Sequence, residues 1–298
     1  MMQQKKKILI IGASGFVGSA LFKHLQKNFQ DIYQVTGTYY SSSAVNNLEK
    51  LDITCSSELE TLLTKLMPDF ILLAAGNKDV RACENNYSLA YTLNTQPVDS
   101  LIRIISDNNL PTHLIYISTD YVFDGKTGHY RDTDRPNPST NYGKTKFLSE
   151  QILLQSGIDY KIIRTAALMG KNGIFFDWLI PQLNHEKEVS MWDNVFFSPT
   201  PLVFFTEMVA ATIENYDQIP QKIIQIVGEK RLNRYQFAIM IKDILHSDVI
   251  VHPEKNQDPS TLFQHDLSMV PSDIIIKWRK RDFDAYIRDE VLHAAFCE

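Results

Sequence analysis

The hydrophobic residues of this chain alternate between short apolar runs and longer segments with helical periodicity. Short runs rich in β-branched residues are typical of strands, whereas apolar residues that recur every three or four positions are typical of amphipathic helices. The predicted strands are ILIIG, YQVTGTY, FILLAAG, HLIYIST and YKIIRTA, beginning at residues 8, 33, 70, 113 and 160. The predicted helices are SALFKHLQKNF, SSELETLLTKLM, YSLAYTLNTQPVDSLIRIISDN and GKTKFLSEQILLQSG, beginning at residues 19, 56, 87 and 143.

This alternation predicts an α/β fold with a doubly wound parallel sheet of the Rossmann type. Strands such as FILLAA are apolar on both faces, as expected for a sheet covered by helices on each side. We predict a first domain at 1–170, to which parts of 196–228 return. The regular alternation weakens after about residue 170, where the chain instead contains aromatic clusters such as GIFFDWL. Residues 171–298 are therefore predicted to form mainly a smaller, interleaved C-terminal lobe.

Three glycines, Gly12, Gly15 and Gly18, follow the first predicted strand at a spacing of three. The helix is expected to begin near Phe16 or Val17, and the N-terminus of a helix favours a phosphate. Gly12 would permit the tight turn, Gly15 the close approach of a pyrophosphate, and Gly18 the packing of helix on strand. The pattern therefore predicts a dinucleotide site on the first domain.

The Gly-x-x-Gly-x-x-Gly spacing resembles that of short-chain dehydrogenase/reductases, and a second motif fits the same resemblance. Tyr142 and Lys146 form a Tyr-x-x-x-Lys pair, and Ser118 and Thr119 end the strand HLIYIST. Residues four apart share one helix face, so the Lys146 ammonium is expected beside the Tyr142 phenol and to lower its pKa. The three predicted catalytic residues are Thr119, Tyr142 and Lys146, with Tyr142 exchanging a proton with a substrate carbonyl.

The stretch STDYVFDGKTGHYRDTDRPNPSTNYGKTK narrows the resemblance to extended members of this class. It is similar to the family of dTDP-4-dehydrorhamnose reductase and its sugar-nucleotide-binding relatives, as are LLAAGNKDVRACE, Asn94, DNVFFSPT and LNRYQFA. The resemblance implies an NAD(P)H-dependent reductase of a 4-keto nucleotide sugar. Two alternatives stay open: a nucleotide-sugar epimerase or dehydratase, and a regulatory subunit that binds NADP, like the β subunit of methionine adenosyltransferase.

The resemblance also implies a set of binding residues. The predicted cofactor-binding residues are Gly12, Ser14, Gly15, Phe16, Val17, Gly18, Asp52, Ala74, Ala75, Gly76, Tyr142 and Lys146. The predicted substrate-binding residues are Tyr121, Phe123, Asp193, Ser198 and Thr200. Asp52 precedes Ile-Thr, so it equally fits a residue that caps the following turn. The aromatic residues around the last three substrate positions equally fit a hydrophobic core.

The end of the second strand bears on the choice between NAD and NADP. An Asp or Glu there would bind the ribose hydroxyls of NAD, and an Arg would pair with the 2′-phosphate of NADP. The sequence VTGTYYSSS contains neither, and Ser41, Ser42 and Ser43 fit a polar loop as well as a phosphate contact. Because no carboxylate is present to repel a phosphate, NADP is preferred over NAD.

Composition excludes several other classes of protein. A net charge of −5 disfavours proteins that bind nucleic acid or an anionic membrane through broad positive charge. Three scattered cysteines indicate no disulfide framework, and the eight histidines show no metal-binding spacing, so no metal is predicted. No run of membrane-spanning length is present, and we expect a cytoplasmic protein whose partner is a nucleotide-sugar substrate. A homodimer is compatible with the resemblance.

Overall fold

The structure, a computed structural model of the chain, describes residues 5–41, 48–257 and 262–296. The strands among these residues are β1 (Lys6–Ile11), β2 (Tyr33–Tyr39), β3 (Glu49–Lys50), β4 (Phe70–Leu73), β5 (His113–Thr119), β6 (Tyr160–Thr165), β7 (Leu168–Met169), β8 (Glu188–Trp192), β9 (Phe196–Phe197), β10 (Thr200–Pro201), β11 (Ile223–Gln225), β12 (Leu232–Asn233) and β13 (Ile250–Glu254). The helices are α1 (Phe16–Phe29), α2 (Ser56–Leu66), α3 (Val80–Asn85), α4 (Tyr87–Asn94), α5 (Gln96–Asp107), α6 (Asn141–Gln155), α7 (Ile174–His185), α8 (Leu202–Glu214), α9 (Arg234–Leu245), α10 (Asp273–Trp278) and α11 (Phe283–Phe296).

The central sheet has seven strands in the order β11-β6-β5-β4-β1-β2-β3. The pairs β1 with β2, β1 with β4, β2 with β3 and β4 with β5 all run parallel. The order reverses at β1, which has β2 on one side and β4 on the other, so the carboxyl ends of these strands form a crevice. The predicted Rossmann-type α/β fold is confirmed.

Apolar residues on both faces of the strands form the core under the helices. Every residue of β4 is at most 2% exposed, and the same is true of Ile8 to Ile11 in β1. One core cluster joins these strands to α2 and α5 through side chains such as Leu59, Leu63 and Leu101. The burial of both sheet faces explains why these strands are continuously apolar.

One predicted helix is divided in two. The sequence predicted a single helix over residues 87–108, whereas the structure has α4 and α5, which meet at Thr95. Pro97 lies in the first turn of α5. Backbone N–H groups in a first turn have no partner within the helix, so the missing N–H of proline costs no hydrogen bond there. The proline would break the interior of a longer helix but is well placed at the start of a new one.

The contacts of the chain divide it into two compact units. The first comprises Met1–Val122, Thr140–Ile163 and Thr212–Ile223, and the second comprises Phe123–Ser139, Arg164–Ala211 and Ile224–Glu298. The predicted first domain ran to residue 170 without interruption, but Phe123–Ser139 packs within the second unit. Tyr130 pairs with Met269 there, and Gly125 and Gly128 lie so close to Gln264 and Asp266 that a β-carbon would overlap them. Among the described residues, no helix is long and apolar enough to cross a bilayer.

Candidate active site

The predicted glycine turn connects β1 to α1 at the crevice. Gly15 is the N-cap of α1, which begins at Phe16, and the N–H of Gly15 donates to the carbonyl of Gly12 at 3.0 Å. No side chain caps this helix, so its first N–H groups face outward at an exposed glycine. Ser14, Phe16 and Val17 are partly buried in the same turn. Free N–H groups at a helix N-terminus suit a pyrophosphate, and the binding of one at this turn stays a prediction.

The three glycines are required for different reasons. Gly12 has φ +92°, and a β-carbon there would lie 2.8 Å from the backbone of Ala75. A β-carbon on Gly18 would overlap the carbonyl of Gly12, so both positions need glycine for internal packing. A β-carbon on Gly15 would meet only the Gly12 oxygen, at 3.4 Å. The space above Gly15 is thus left open by the protein itself, as expected where a dinucleotide approaches the backbone.

Two further contacts hold this turn in place. The N–H of Gly12 donates to the hydroxyl of Thr38 at 3.0 Å, which links the turn to β2. The N–H of Ala74 donates to the carbonyl of Ile11, which places Ala74, Ala75 and Gly76 along the same edge after β4. Thr38 was not among the predicted site residues, because a hydroxyl residue directly before Tyr39 in the strand YQVTGTY gives no sequence signal of a contact with the turn.

Asn94 connects the loop after β4 to α6. Its side-chain oxygen accepts from the N–H of Asn77 at 2.7 Å, and its amide nitrogen donates to the hydroxyl of Thr145 at 3.1 Å. The Ser149 hydroxyl donates to the Asn94 carbonyl at 2.9 Å. Asn94 is only 4% exposed, so this buried network fixes α6 beside the predicted cofactor loop.

The structure brings the predicted catalytic residues together. Thr140 caps α6 by accepting a hydrogen bond from the N–H of Gly143 at 3.1 Å, and this cap begins the helix just before Tyr142. Thr119 ends β5 beside this first turn, and its hydroxyl hydrogen-bonds Tyr142. Lys146 follows one turn later and is 7% exposed.

The pKa of Tyr142 differs from the expectation. Burial is the largest effect and raises the pKa of the phenol well above its ordinary value, while the hydrogen bond with Thr119 lowers it and the charge of Asp120 raises it again. Lys146 is not among the groups that shift this pKa, and its Nζ instead donates to the carbonyl of Ile117. At neutral pH Tyr142 is therefore a proton donor, which is the form that reduction of a ketone requires.

Lys146 has its own buried partners. Its Nζ donates to the carbonyl of Ile117 at 2.7 Å and lies 4.1 Å from the centre of the Tyr116 ring. Burial lowers the pKa of Lys146 to about 7, and the charge of Glu150 counteracts part of this effect. Glu150 was not among the predicted residues, although its position four after Lys146 on a predicted helix is a detectable signal.

Ser118 and Thr119 are adjacent hydroxyl residues with different roles. The hydroxyl of Ser118 donates to Glu150 Oε1 at 2.6 Å within the core. The hydroxyl of Thr119 donates to Asp120 Oδ1 at 2.9 Å and is the one beside Tyr142. The hydroxyl that hydrogen-bonds Tyr142 is thus that of Thr119, and its catalytic role stays a prediction.

The predicted substrate residues fall in both units. Tyr121 lies in the first unit, with its ring edge-on to Tyr142 at 5.6 Å between centroids. Phe123 lies in the second unit, fully buried and stacked on Tyr130 at 4.2 Å, so its side chain is part of the local core.

The remaining three substrate candidates lie in the second unit with partners of their own. Asp193 pairs with Lys255 at 2.8 Å. Ser198 donates to the carbonyl of Met269 at 2.9 Å, and Thr200 donates to the carbonyl of Ser198 and accepts from the N–H of Gly228 at 3.0 Å. Both hydroxyl residues are at most 1% exposed. Their internal hydrogen bonds give them a structural role, and their contact with a substrate stays a prediction.

An open cleft of about 630 Å³ lies beside the end of β2. Its lining includes Tyr40, Lys50 and Asp52. The carboxylate of Asp52 accepts from the N–H and hydroxyl of Thr54, at 2.9 and 2.7 Å, so it does cap the following turn. Ser42 and Ser43 lie outside the described residues. No group of three or more His, Cys, Asp or Glu suited to a metal occurs within the described ranges.

Comparison with known proteins agrees with this geometry. The profile of the family described as "RmlD substrate binding domain" matches residues 6–265. The "Probable low-salt glycan biosynthesis reductase" of Haloferax volcanii is 31% identical over 248 residues, which is 80% of each chain. A crystal structure of a "hypothetical dTDP-4-dehydrorhamnose reductase" from Sulfolobus tokodaii is 30% identical, with a TM-score of 0.80 over 93% of this chain and 96% of that one. The predicted resemblance and oxidoreductase class are confirmed.

The similarity extends to a protein that is not named as a reductase. The "Methionine adenosyltransferase 2 subunit beta" of Bos taurus is 29% identical over 193 residues. That alignment covers 65% of this chain and 54% of the relative, so the chain spans about half the length of this subunit.

Proposed function

Because the chain belongs to the RmlD substrate binding domain family, we propose that it reduces a 4-keto nucleotide sugar with a nicotinamide dinucleotide. The observation that carries the proposal is the pairing of Thr119 with a protonated Tyr142 at the crevice formed by the strand ends. The open space above Gly15 supports a dinucleotide at the same edge of the sheet.

The chain's own residues supply position and a proton. When bound, the reduced nicotinamide supplies the hydride that attacks the ketone carbon. Tyr142 donates its proton to the ketone oxygen, so the carbonyl becomes an alcohol and the phenol becomes a phenolate. Thr119 holds that oxygen by a hydrogen bond, and a protonated Lys146 would stabilise the phenolate through its charge. Bulk water then returns the proton to Tyr142.

We propose NADPH as the preferred cofactor. The end of β2 provides no carboxylate to bind ribose hydroxyls, and Tyr40, the residue after β2, lines the cleft. Lys50 of β3 lines the same cleft and lies in register with Tyr39 of β2. Its ammonium supports a cofactor that carries a 2′-phosphate, although Glu49, Asp52 and Glu58 line the same cleft.

The substrate within this class is proposed to be dTDP-4-dehydrorhamnose. Its support is the sequence resemblance and the description of the Sulfolobus tokodaii structure. Tyr121, beside Tyr142, is the residue of the first unit best placed to contact a hexose.

The proposal is tested by mixing the purified protein with NADPH or NADH and a panel of 4-keto nucleotide sugars on dTDP, UDP and GDP carriers. The absorbance of the reduced cofactor is followed for the protein and for Tyr142→Phe. We expect oxidation of NADPH with the dTDP sugar and its loss in the variant. Absence of oxidation with every sugar would contradict the proposal.

A second candidate function is a regulatory subunit that binds the cofactor without turnover. The similarity to the β subunit of methionine adenosyltransferase favours it. The two functions differ in the same assay, because a regulatory subunit would bind NADPH in calorimetry and oxidise it with no sugar. It would also form a complex with a methionine adenosyltransferase in size-exclusion chromatography.

A further inference from the structure

Glu150 is a fully buried carboxylate in the first unit that the proposed reaction does not use directly. Its exposed fraction is 0%, and it lies one helical turn after Lys146 and two turns after Tyr142 in α6. The hydroxyl of Ser118 donates to its Oε1 at 2.6 Å. Three functional groups therefore follow one face of a single helix, with Glu150 at the deepest position.

Lys146 needs a negative charge nearby to stay protonated. It is 7% exposed, and the partners seen at its Nζ are the carbonyl of Ile117 and the face of the Tyr116 ring. Both partners are neutral, and neutral partners do not offset the cost of removing an ammonium group from water. A carboxylate one turn away on the same helix does offset it.

We infer that Glu150 is a positioning residue whose negative charge, one helical turn away on the same face of α6, keeps the buried ammonium of Lys146 protonated. Ser118 acts with it, because its hydrogen bond fixes the carboxylate on the side of α6 that faces β5. The catalytic consequence of this role rests on the proposed function, whereas the charge of Lys146 does not.

Other ionisable groups near Lys146 do not replace this charge. The titratable side chains around Lys146 and Tyr142 are Tyr116 from β5, Asp120 and Tyr121 from the turn after it, Cys83 and Glu84 from α3, and Glu150 from α6. Of these, Asp120 and Tyr121 act on Tyr142, and Glu150 is the one whose charge acts on Lys146. Burial lowers the pKa of Lys146 to about 7, so its protonated fraction at neutral pH responds strongly to any change in nearby charge.

The test measures the titration of Lys146 itself in the cofactor-free protein. The Cε resonance of Lys146 is followed by NMR from about pH 5 to about pH 10 and identified by its loss in Lys146→Met. In Glu150→Gln, which keeps the size of the side chain and removes its charge, we expect the midpoint to fall by about one pH unit or more. An unchanged midpoint would overturn the inference.

Two further variants keep the result interpretable. Ser118→Ala removes the hydrogen bond and leaves the carboxylate, so the Lys146 midpoint is expected to move by less than about half a unit. Glu150→Asp retains the charge and should stay close to the wild-type midpoint. If Glu150→Gln does not fold, a fall of a full unit in Glu150→Asp would contradict a role for charge.

The pH dependence of kcat/KM separates this inference from the proposed function. We expect its alkaline limb to move to lower pH in Glu150→Gln by the same amount as the Lys146 midpoint. If the midpoint falls in the variant while the wild-type protein oxidises no reduced cofactor, the proposed function fails and the charge role of Glu150 stands. If activity is present and its alkaline limb does not follow the midpoint, the positioning role fails.

Discussion

The backbone N–H of Val203, in the first turn of α8, donates a hydrogen bond to the carboxylate of Glu290 in α11 at 2.6 Å. Glu290 is only 3% exposed, and burial raises its pKa from 4.5 to about 7 despite this bond. The folded protein therefore binds a proton here that the unfolded chain releases above about pH 4.5. The stabilisation from this group is complete below pH 4.5 and is lost as the pH rises through 7.

Glu290→Gln is expected to remove this pH dependence. The shift corresponds to about 3 kcal/mol between about pH 4.5 and neutral pH. Denaturant unfolding at several pH values should show that the free energy of unfolding of the wild-type protein falls by this amount as the pH rises, and that the fall is absent in the variant. Asp289→Asn, at an exposed neighbouring position, is the control; it removes only the smallest of the effects on Glu290, so most of the pH dependence should remain. The raised pKa of Glu290 would be contradicted if the free energy of unfolding depended on pH in the same way in all three proteins.

Two glycines of the turn are predicted to respond differently to substitution. A β-carbon on Gly15 meets little of the protein, whereas one on Gly18 overlaps the backbone of Gly12. Gly15→Val should therefore fold normally and lose NADPH binding, since its branches fill the space above the turn. Gly18→Ala should instead lower the melting temperature. Calorimetry and thermal unfolding together test both expectations, and unchanged NADPH affinity in folded Gly15→Val would remove this turn from the cofactor site.

The sequence predicted the parts of this fold that depend on local patterns. The apolar run at Ile8 to Ile11 and the glycines after it define β1, the turn and the start of α1, since each reflects a local backbone requirement. The division between α4 and α5 was missed because the helical pattern continues through Pro97, although a proline in that position favours a helix start.

Properties that depend on three-dimensional burial could not be predicted in the same way. The pair Tyr142 and Lys146 was found from its spacing, but the direction of the pKa shift at Tyr142 was not. That direction depends on how deeply α6 packs and on where the Lys146 side chain turns, and neither is encoded in the spacing. The hydroxyls of Ser198 and Thr200 likewise gained internal partners that a sequence motif does not reveal.

The preference for NADPH is predicted to depend on Lys50. Lys50 and Lys65 line the same cleft, but Lys65 pairs with Glu49 at 3.5 Å. Lys50 has no ion pair among the described residues, so its charge is available to a 2′-phosphate. Lys50→Gln should weaken NADPH binding by about tenfold and leave NADH binding unchanged.

Calorimetry with both cofactors provides the measurement for this preference. Lys65→Gln is the matched control, and its effect on the ratio of the two affinities should be small because its charge is already neutralised by Glu49. An equal loss for NADPH and NADH in Lys50→Gln would indicate a general effect on the cleft and would contradict a phosphate contact.

Tyr142 is expected to be the proton donor, and Tyr116, a buried tyrosine whose ring contacts Lys146, offers a matched control. Tyr142→Phe should lower kcat by roughly 10²-fold to 10⁴-fold, the range for loss of a general acid, with NADPH affinity unchanged. Tyr116→Phe removes a phenol hydroxyl from the ring that Lys146 contacts, and it should change kcat only a few-fold because that hydroxyl lies in the core.

The phenol of Tyr142 stays protonated at neutral pH because its pKa is raised. Deprotonation of Tyr142 should therefore not produce the alkaline limb in the pH dependence of kcat. Steady-state kinetics across pH test this, and equal losses in both variants would remove Tyr142 from the chemical step.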